Sequence, residues 1–83
     1  MTREELKLIV VEKLARLAPE TDLGALDPDT ELRETLELDS LDFLNFVVAL
    51  HDELGVNIPE ADYHKLATLT SCIDYLNLAR RPG

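Results

Sequence analysis

The segment from Ser40 to Leu54 constrains the fold of this chain most strongly, because its ends and its spacing are those of a helix. Asp39 before it is a good N-terminal cap, and Gly55 after it suits the left-handed residue that ends a helix. Apolar side chains recur inside it at intervals of three and four residues. The stripe consists of Phe43, Phe46, Val47, Leu50 and Leu54. We therefore expect a helix over 40–54 with one face in a core.

The same helix carries a second apolar face. Leu41, Leu44 and Val48 fall on another side of the helix, beside the polar residues Asn45, His51 and Asp52. A small bundle cannot bury both faces unless it engulfs the helix. We therefore expect the second face to be exposed and to dock a partner protein. The alternative is that the preceding loop covers it.

Three further helices are predicted. A capping box and helical apolar spacing predict a first helix over about 3–17. A short third helix is expected over 59–66, and a fourth from its cap at Thr68 to about Ala79. No stretch alternates with period two, so we expect no sheet. The predicted fold class is all-α, a four-helix bundle.

The loop over 18–38 is unusually long for a compact domain, at about 20 residues. It contains five leucines, which can hold an ordered loop against the core and leave room for a short helical turn. These are Leu23, Leu26, Leu32, Leu36 and Leu38. We interpret residues 1–83 as a single domain, with 79–83 as a frayed tail.

The charge distribution limits the partners. The net charge is −9, and residues 34–64 hold eight carboxylates and no lysine or arginine. Nucleic acid binding is not expected, since it requires a basic surface. A partner that approaches this region meets a negative field, so we expect basic partner surfaces. A simpler explanation is that the acids keep a small protein soluble.

A membrane span, a signal peptide, an internal disulfide and a metal site are also not expected. The sequence has no run of about 18 apolar residues, so we expect no membrane span. Its first residues lack a signal-peptide core. The one cysteine, Cys72, cannot form an internal disulfide or a multi-cysteine metal site, and we expect it to be buried. We expect a cytoplasmic monomer without a metal.

Ser40 is the candidate functional residue. If Asp39 caps the helix, Ser40 lies in the first turn with its hydroxyl toward solvent, where a helix favours a negatively charged group. The position therefore suits a covalently attached phosphate ester. Ser40 is a poor candidate nucleophile, because His51 lies eleven residues along the same helix, roughly 16 Å away at 1.5 Å per residue. We expect no catalytic activity.

The sequence resembles the acyl carrier protein family over essentially its whole length. The matching motifs are Asp39-Ser40-Leu41-Asp42, Ala49-Leu50, Asp52-Glu53-Leu54-Gly55, Ile58-Pro59, Leu69 and Ile73-Asp74-Tyr75-Leu76. The resemblance implies that a phosphopantetheinyl transferase attaches 4′-phosphopantetheine from coenzyme A to Ser40, with Asp39 as the adjacent acid. The thiol of this arm would carry acyl groups as thioesters to acyl-loading, condensing and other acyl-processing enzymes.

The resemblance also implies a partner-recognition face and a bundle that can enclose the acyl chain. The recognition residues would be Leu41, Asp42, Leu44, Asn45, Val48, His51 and Asp52.

The sequence departs from the family pattern at three positions. Glu37 stands where family members often have glycine, and Asn45 and His51 stand where fatty-acid carriers often have glutamate. The pathway could therefore be fatty-acid, polyketide or related specialised biosynthesis. Two alternatives remain open from the residues alone. One is a helical interaction module that never carries pantetheine, and the other is a small acidic inhibitor or chaperone-like subunit.

Overall fold

A computed structural model describes residues 1–80 of the chain, and the elements are helical. They are α1 (Arg3–Leu17), α2 (Leu32–Thr35), α3 (Ser40–Leu54) and α4 (Leu69–Ala79), with two 3₁₀ helices, η1 (Leu23–Ala25) and η2 (Glu60–Leu66). Within residues 1–80 no strand forms, and the backbone of Glu31 and Thr68 makes one isolated bridge. The prediction of an all-α fold is confirmed.

The helix ends follow from local hydrogen bonds. Each of the three long helices begins with a capping box, at Thr2, Asp39 and Thr68. In each, the cap side chain accepts from a backbone N–H of the first turn that has no partner within the helix. Gly55 ends α3 with φ of 68°, in the left-handed region that glycine adopts without a steric penalty. The predicted bounds of the first and second long helices are therefore correct.

The core lies where α1 packs against α3 and α4, and η2 completes it by packing on α4. The side chains at its centre are almost fully buried: Leu6, Val10, Leu14, Phe46, Leu50, Cys72 and Leu76. The predicted burial of Cys72 is confirmed. Burial of this apolar stripe from each helix is the main favourable contribution to the fold.

The long loop is ordered by buried leucines and by backbone hydrogen bonds to a distant segment. Leu32 is completely buried, and its N–H donates to the carbonyl of Ala67 at 2.7 Å. The Thr70 N–H donates to the carbonyl of Pro28 at 3.0 Å. The loop therefore follows the start of α4 and does not cross the outer face of α3. The predicted short helical turn is present as η1 and α2.

The predicted third helix differs in type, because η2 is a 3₁₀ helix. Tyr63 packs against Phe43 with ring centroids 5.8 Å apart, and Leu66 is completely buried. These two residues are three positions apart, and side chains at that spacing eclipse in a 3₁₀ helix. The tighter helix thus directs both side chains toward the core.

The C-terminal end of the described chain contacts α3. Ala79 is the last residue of α4, and the Arg80 guanidinium donates to the carbonyl of Leu54 at 2.9 Å. The remaining part of the expected tail, residues 81–83, lies outside the described residues. None of the helices in residues 1–80 has the length and apolarity needed to cross a membrane.

Candidate functional site

A short turn between α2 and α3 sets the position of the candidate site. Leu36 and Leu38 are buried on either side of Glu37, which has φ of 55°. The left-handed conformation at Glu37 lets both leucines face the core, and the Leu38 N–H donates to the Arg33 carbonyl at 2.8 Å. A side chain is disfavoured in this left-handed conformation, which glycine adopts without a steric penalty.

Asp39 holds the N-terminus of α3 and leaves Ser40 exposed. One Asp39 carboxylate oxygen accepts from the Asp42 N–H at 2.7 Å, and an Asp42 carboxylate oxygen accepts from the Asp39 N–H at 3.4 Å. Ser40 is the first residue of α3, and it is exposed to solvent. The predicted arrangement of cap and serine is therefore present.

The chain has two serines, and their surroundings differ. Ser71 lies in the capping box of α4, where its hydroxyl donates to the Thr68 carbonyl at 3.2 Å and its N–H donates to the Thr68 hydroxyl at 3.0 Å. Ser71 is also half-buried. Ser40 is thus the serine whose hydroxyl an enzyme can approach.

Arg33 is a site residue that the sequence analysis missed. Its guanidinium donates to the Ser40 hydroxyl oxygen at 3.3 Å and lies 5.3 Å from the centroid of the Phe43 ring. The only sequence signal was that Arg33 is the last basic residue before the acidic stretch.

The second apolar face of α3 is exposed as predicted. The exposed fractions of Leu41, Leu44 and Val48 are 64%, 44% and 47%. The residues at its border differ in exposure: Asn45, His51 and Asp52 are exposed, and Asp42 is half-buried. The alternative that the loop covers this face is therefore wrong.

His51 joins the exposed face to the segment after α3. Its Nδ1 lies 3.0 Å from the Val56 carbonyl oxygen, so in the neutral ring Nδ1 carries the proton and donates. A cavity of about 450 Å³ lies next to it. The cavity is lined by Val47, Val48, His51, Asn57, Ile58, Pro59 and Tyr63.

The Ser40 hydroxyl is exposed at the start of α3, and its neighbours limit what chemistry the site can do. Within residues 1–80 the Ser40 hydroxyl accepts a hydrogen bond from the Arg33 guanidinium, which is a donor and not a base. Within that range, no three histidine, cysteine, aspartate or glutamate side chains are grouped to hold a metal ion. The structure is thus a small helical bundle with an exposed serine at the N-terminus of α3.

Comparison with known proteins identifies the family to which the chain belongs. The model of the family described as "Phosphopantetheine attachment site" matches residues 4–76. The chain is 34% identical over 74 residues to an acyl carrier protein of Thermosynechococcus vestitus, covering 89% of this chain and 85% of the relative. It is 29% identical over 79 residues to an acyl carrier protein of Rubrobacter xylanophilus, covering 92% and 93%. The chain belongs to the acyl carrier protein family.

Membership fixes the general function. The chain is a non-catalytic carrier with a 4′-phosphopantetheine attachment domain. In general terms, its partners are a phosphopantetheinyl transferase and acyl-processing enzymes.

Proposed function

We propose that Ser40 carries the 4′-phosphopantetheine arm. The observation that supports this most directly is its exposed hydroxyl on the first residue of α3, beside Asp39. In the transfer, the Ser40 hydroxyl gives its proton to a base of the transferase or to water, and its oxygen bonds to the phosphorus next to the pantetheine of coenzyme A. The pyrophosphate bond breaks, and the adenosine bisphosphate half leaves. When bound, the arm supplies a thiol that holds acyl groups as thioesters.

The two serines allow a matched test of this proposal. The protein is incubated with coenzyme A, Mg²⁺ and a broad-specificity phosphopantetheinyl transferase, and the intact mass is measured. We expect the wild type and Ser71→Ala to gain one phosphopantetheine and Ser40→Ala to gain none. If the folded wild type gains no mass with several transferases, the interaction module becomes the better hypothesis. A gain in Ser40→Ala would place the arm elsewhere.

We propose that the exposed face of α3 binds the partner enzymes, with Leu41, Leu44 and Val48 as the apolar contacts. Asn45, His51 and Asp52 border these contacts. Removal of apolar side chains from water is a main favourable contribution to protein–protein association. The surrounding carboxylates raise the rate of encounter with a basic partner surface, and salt weakens this effect.

A second exposed leucine provides the control for this surface. Leu41 on α3 is 64% exposed, and Leu78 on α4 is 63% exposed. We expect Leu41→Gln to lower the kcat/KM for modification by the transferase about tenfold, equal to about 1.4 kcal/mol. Leu78→Gln should stay within about twofold of the wild type. Equal losses in both variants would contradict docking on α3.

We further propose a specialised acyl pathway for this carrier. Asn45 and His51 leave the recognition face with fewer carboxylates than the glutamates common in fatty-acid carriers. A partner with a strongly basic surface gains less from this face. The holo protein can be loaded by a malonyl transferase of fatty-acid synthesis, with Asn45→Glu/His51→Glu as the comparison. We expect the double variant to be loaded faster, and equal rates would contradict the proposal.

A further inference from the structure

Arg33 lies in an unusual electrostatic position beside Ser40. It is in α2, close in sequence to Glu31, Glu34 and Glu37, yet among residues 1–80 its guanidinium makes no salt bridge within 4.0 Å. Its guanidinium donates instead to the Ser40 hydroxyl at 3.3 Å. By contrast, most of the other lysine and arginine side chains in residues 1–80 form salt bridges with carboxylates.

The Phe43 ring orients this guanidinium. The guanidinium carbon lies 5.3 Å from the ring centroid, a distance at which a cation is attracted to an aromatic face. Phe43 is itself 5% exposed, and it packs against Phe46 at 6.1 Å and Tyr63 at 5.8 Å between ring centroids. The ring is thus fixed by the core, and the exposed Arg33 guanidinium lies against this rigid surface.

Two of the backbone donors at the start of α3 are already occupied. The Asp42 N–H donates to the Asp39 carboxylate at 2.7 Å, and the Phe43 N–H donates to the Asp39 carbonyl at 3.0 Å. A phosphodiester on Ser40 would also add a negative charge beside the Asp39 carboxylate. Arg33 is the basic side chain that contacts Ser40, and the following residues 34–64 contain no lysine or arginine.

We propose that Arg33 binds the phosphodiester of the arm and thereby fixes the direction in which the arm leaves Ser40. The planar guanidinium offers parallel N–H donors that match two phosphate oxygens. The inference rests on the proposed attachment at Ser40. Arg33 is thus a positioning residue that lies seven positions before Ser40, in a different helix.

The test uses the holo protein, whose intact mass first shows that one arm is attached. The ³¹P NMR resonance of the phosphodiester is then compared in the wild type, Arg33→Gln, Arg33→Lys and Arg16→Gln. Arg16 is a matched control, because it is an exposed arginine on α1 that pairs with Glu12 at 3.1 Å. We expect a clear shift in Arg33→Gln, a partial shift in Arg33→Lys and no shift in Arg16→Gln.

Two further measurements follow signals of the wild-type protein. Attachment of the arm to the wild type should move the Nε–Hε signal of Arg33 and leave that of Arg16 in place. Raising the salt to about 1 M should move the wild-type ³¹P resonance toward that of Arg33→Gln, because salt screens the ion pair. An unchanged Arg33 signal, or the same ³¹P shift in the wild type and Arg33→Gln, would overturn the proposal. A wild type that gains no mass would instead refute attachment itself.

Discussion

Asp39 combines a capping hydrogen bond with a negative charge at the start of α3, and two substitutions separate these contributions. Asp39→Ala removes both the 2.7 Å hydrogen bond to the Asp42 N–H and the charge. Asp39→Asn keeps an oxygen that can accept this bond and removes only the charge. The amide oxygen of asparagine can accept the same hydrogen bond from the Asp42 N–H. We therefore expect the two variants to differ in stability.

The expected magnitudes follow from the geometry of the capping box. Loss of the cap costs about 1 kcal/mol, and loss of a charge at an exposed helix N-terminus costs about 0.5 kcal/mol. Asp39→Ala should therefore lower the free energy of unfolding by about 1.5 kcal/mol. In a chain of 83 residues this equals a fall in Tm of about 6–12 °C. Asp39→Asn should lose only about 2–4 °C.

Thermal and urea unfolding of the apo protein, followed by far-UV circular dichroism, measure these differences. Thr68→Ala is the control, because it removes the cap of α4, where the Thr68 hydroxyl accepts from the Ser71 N–H at 3.0 Å. It should cost about 1 kcal/mol without slowing modification of Ser40. If Asp39→Asn is as unstable as Asp39→Ala, the reasoning from the cap is refuted.

Three further predictions concern the strained turn, the buried thiol and a phenol. Glu37→Gly should raise the free energy of unfolding by about 0.5 kcal/mol. The free energy gained by removing the left-handed strain exceeds the entropic cost of the more flexible unfolded chain. A lower Tm would contradict this prediction. Burial raises the pKa of Cys72 from 9.0 to about 12, so the native thiolate fraction at neutral pH falls about a thousandfold. A thiol reagent should therefore react far more slowly with the native protein than with the unfolded chain, and equal rates would show that Cys72 is accessible. Burial, followed by the 2.8 Å hydrogen bond to Asp62, raises the pKa of Tyr75 from 10.0 to about 12. The folded state holds the phenol proton more tightly than the unfolded chain does. The contribution of Tyr75 to the free energy of unfolding is therefore complete below about pH 10 and is lost as the pH rises toward 12. Urea unfolding across this range should show a smaller loss of stability for Tyr75→Phe than for the wild type, and an identical loss would contradict the assignment.

Much of the fold could be predicted because its signals are local. The capping boxes at Thr2 and Asp39 lie within four residues of the helix that they begin, and Gly55 ends α3 by its own backbone preference. The apolar spacing of α3 also predicted both of its faces, since one helix cannot bury two faces in a small bundle.

The features that were missed depend on contacts between distant segments. The Leu32 N–H bonds to the Ala67 carbonyl, and no sequence pattern records this partner. The 3₁₀ geometry of η2 depends on where Tyr63 and Leu66 meet the core. The contact between Arg33 and Ser40 requires the exact turn at Glu37, so spacing alone could not reveal it.

The exposed face of α3 has a kinetic consequence for a carrier that serves several enzymes. Ser40 and Val48 are eight residues apart on one helix, which is about 12 Å. A stable interface covers about 800 Å² on each partner, so it extends well beyond this distance. Two enzymes that both require Ser40 and this face therefore exclude one another. The order in which an acyl group visits them is then determined by competition for one surface, and each complex must dissociate before the next reaction begins.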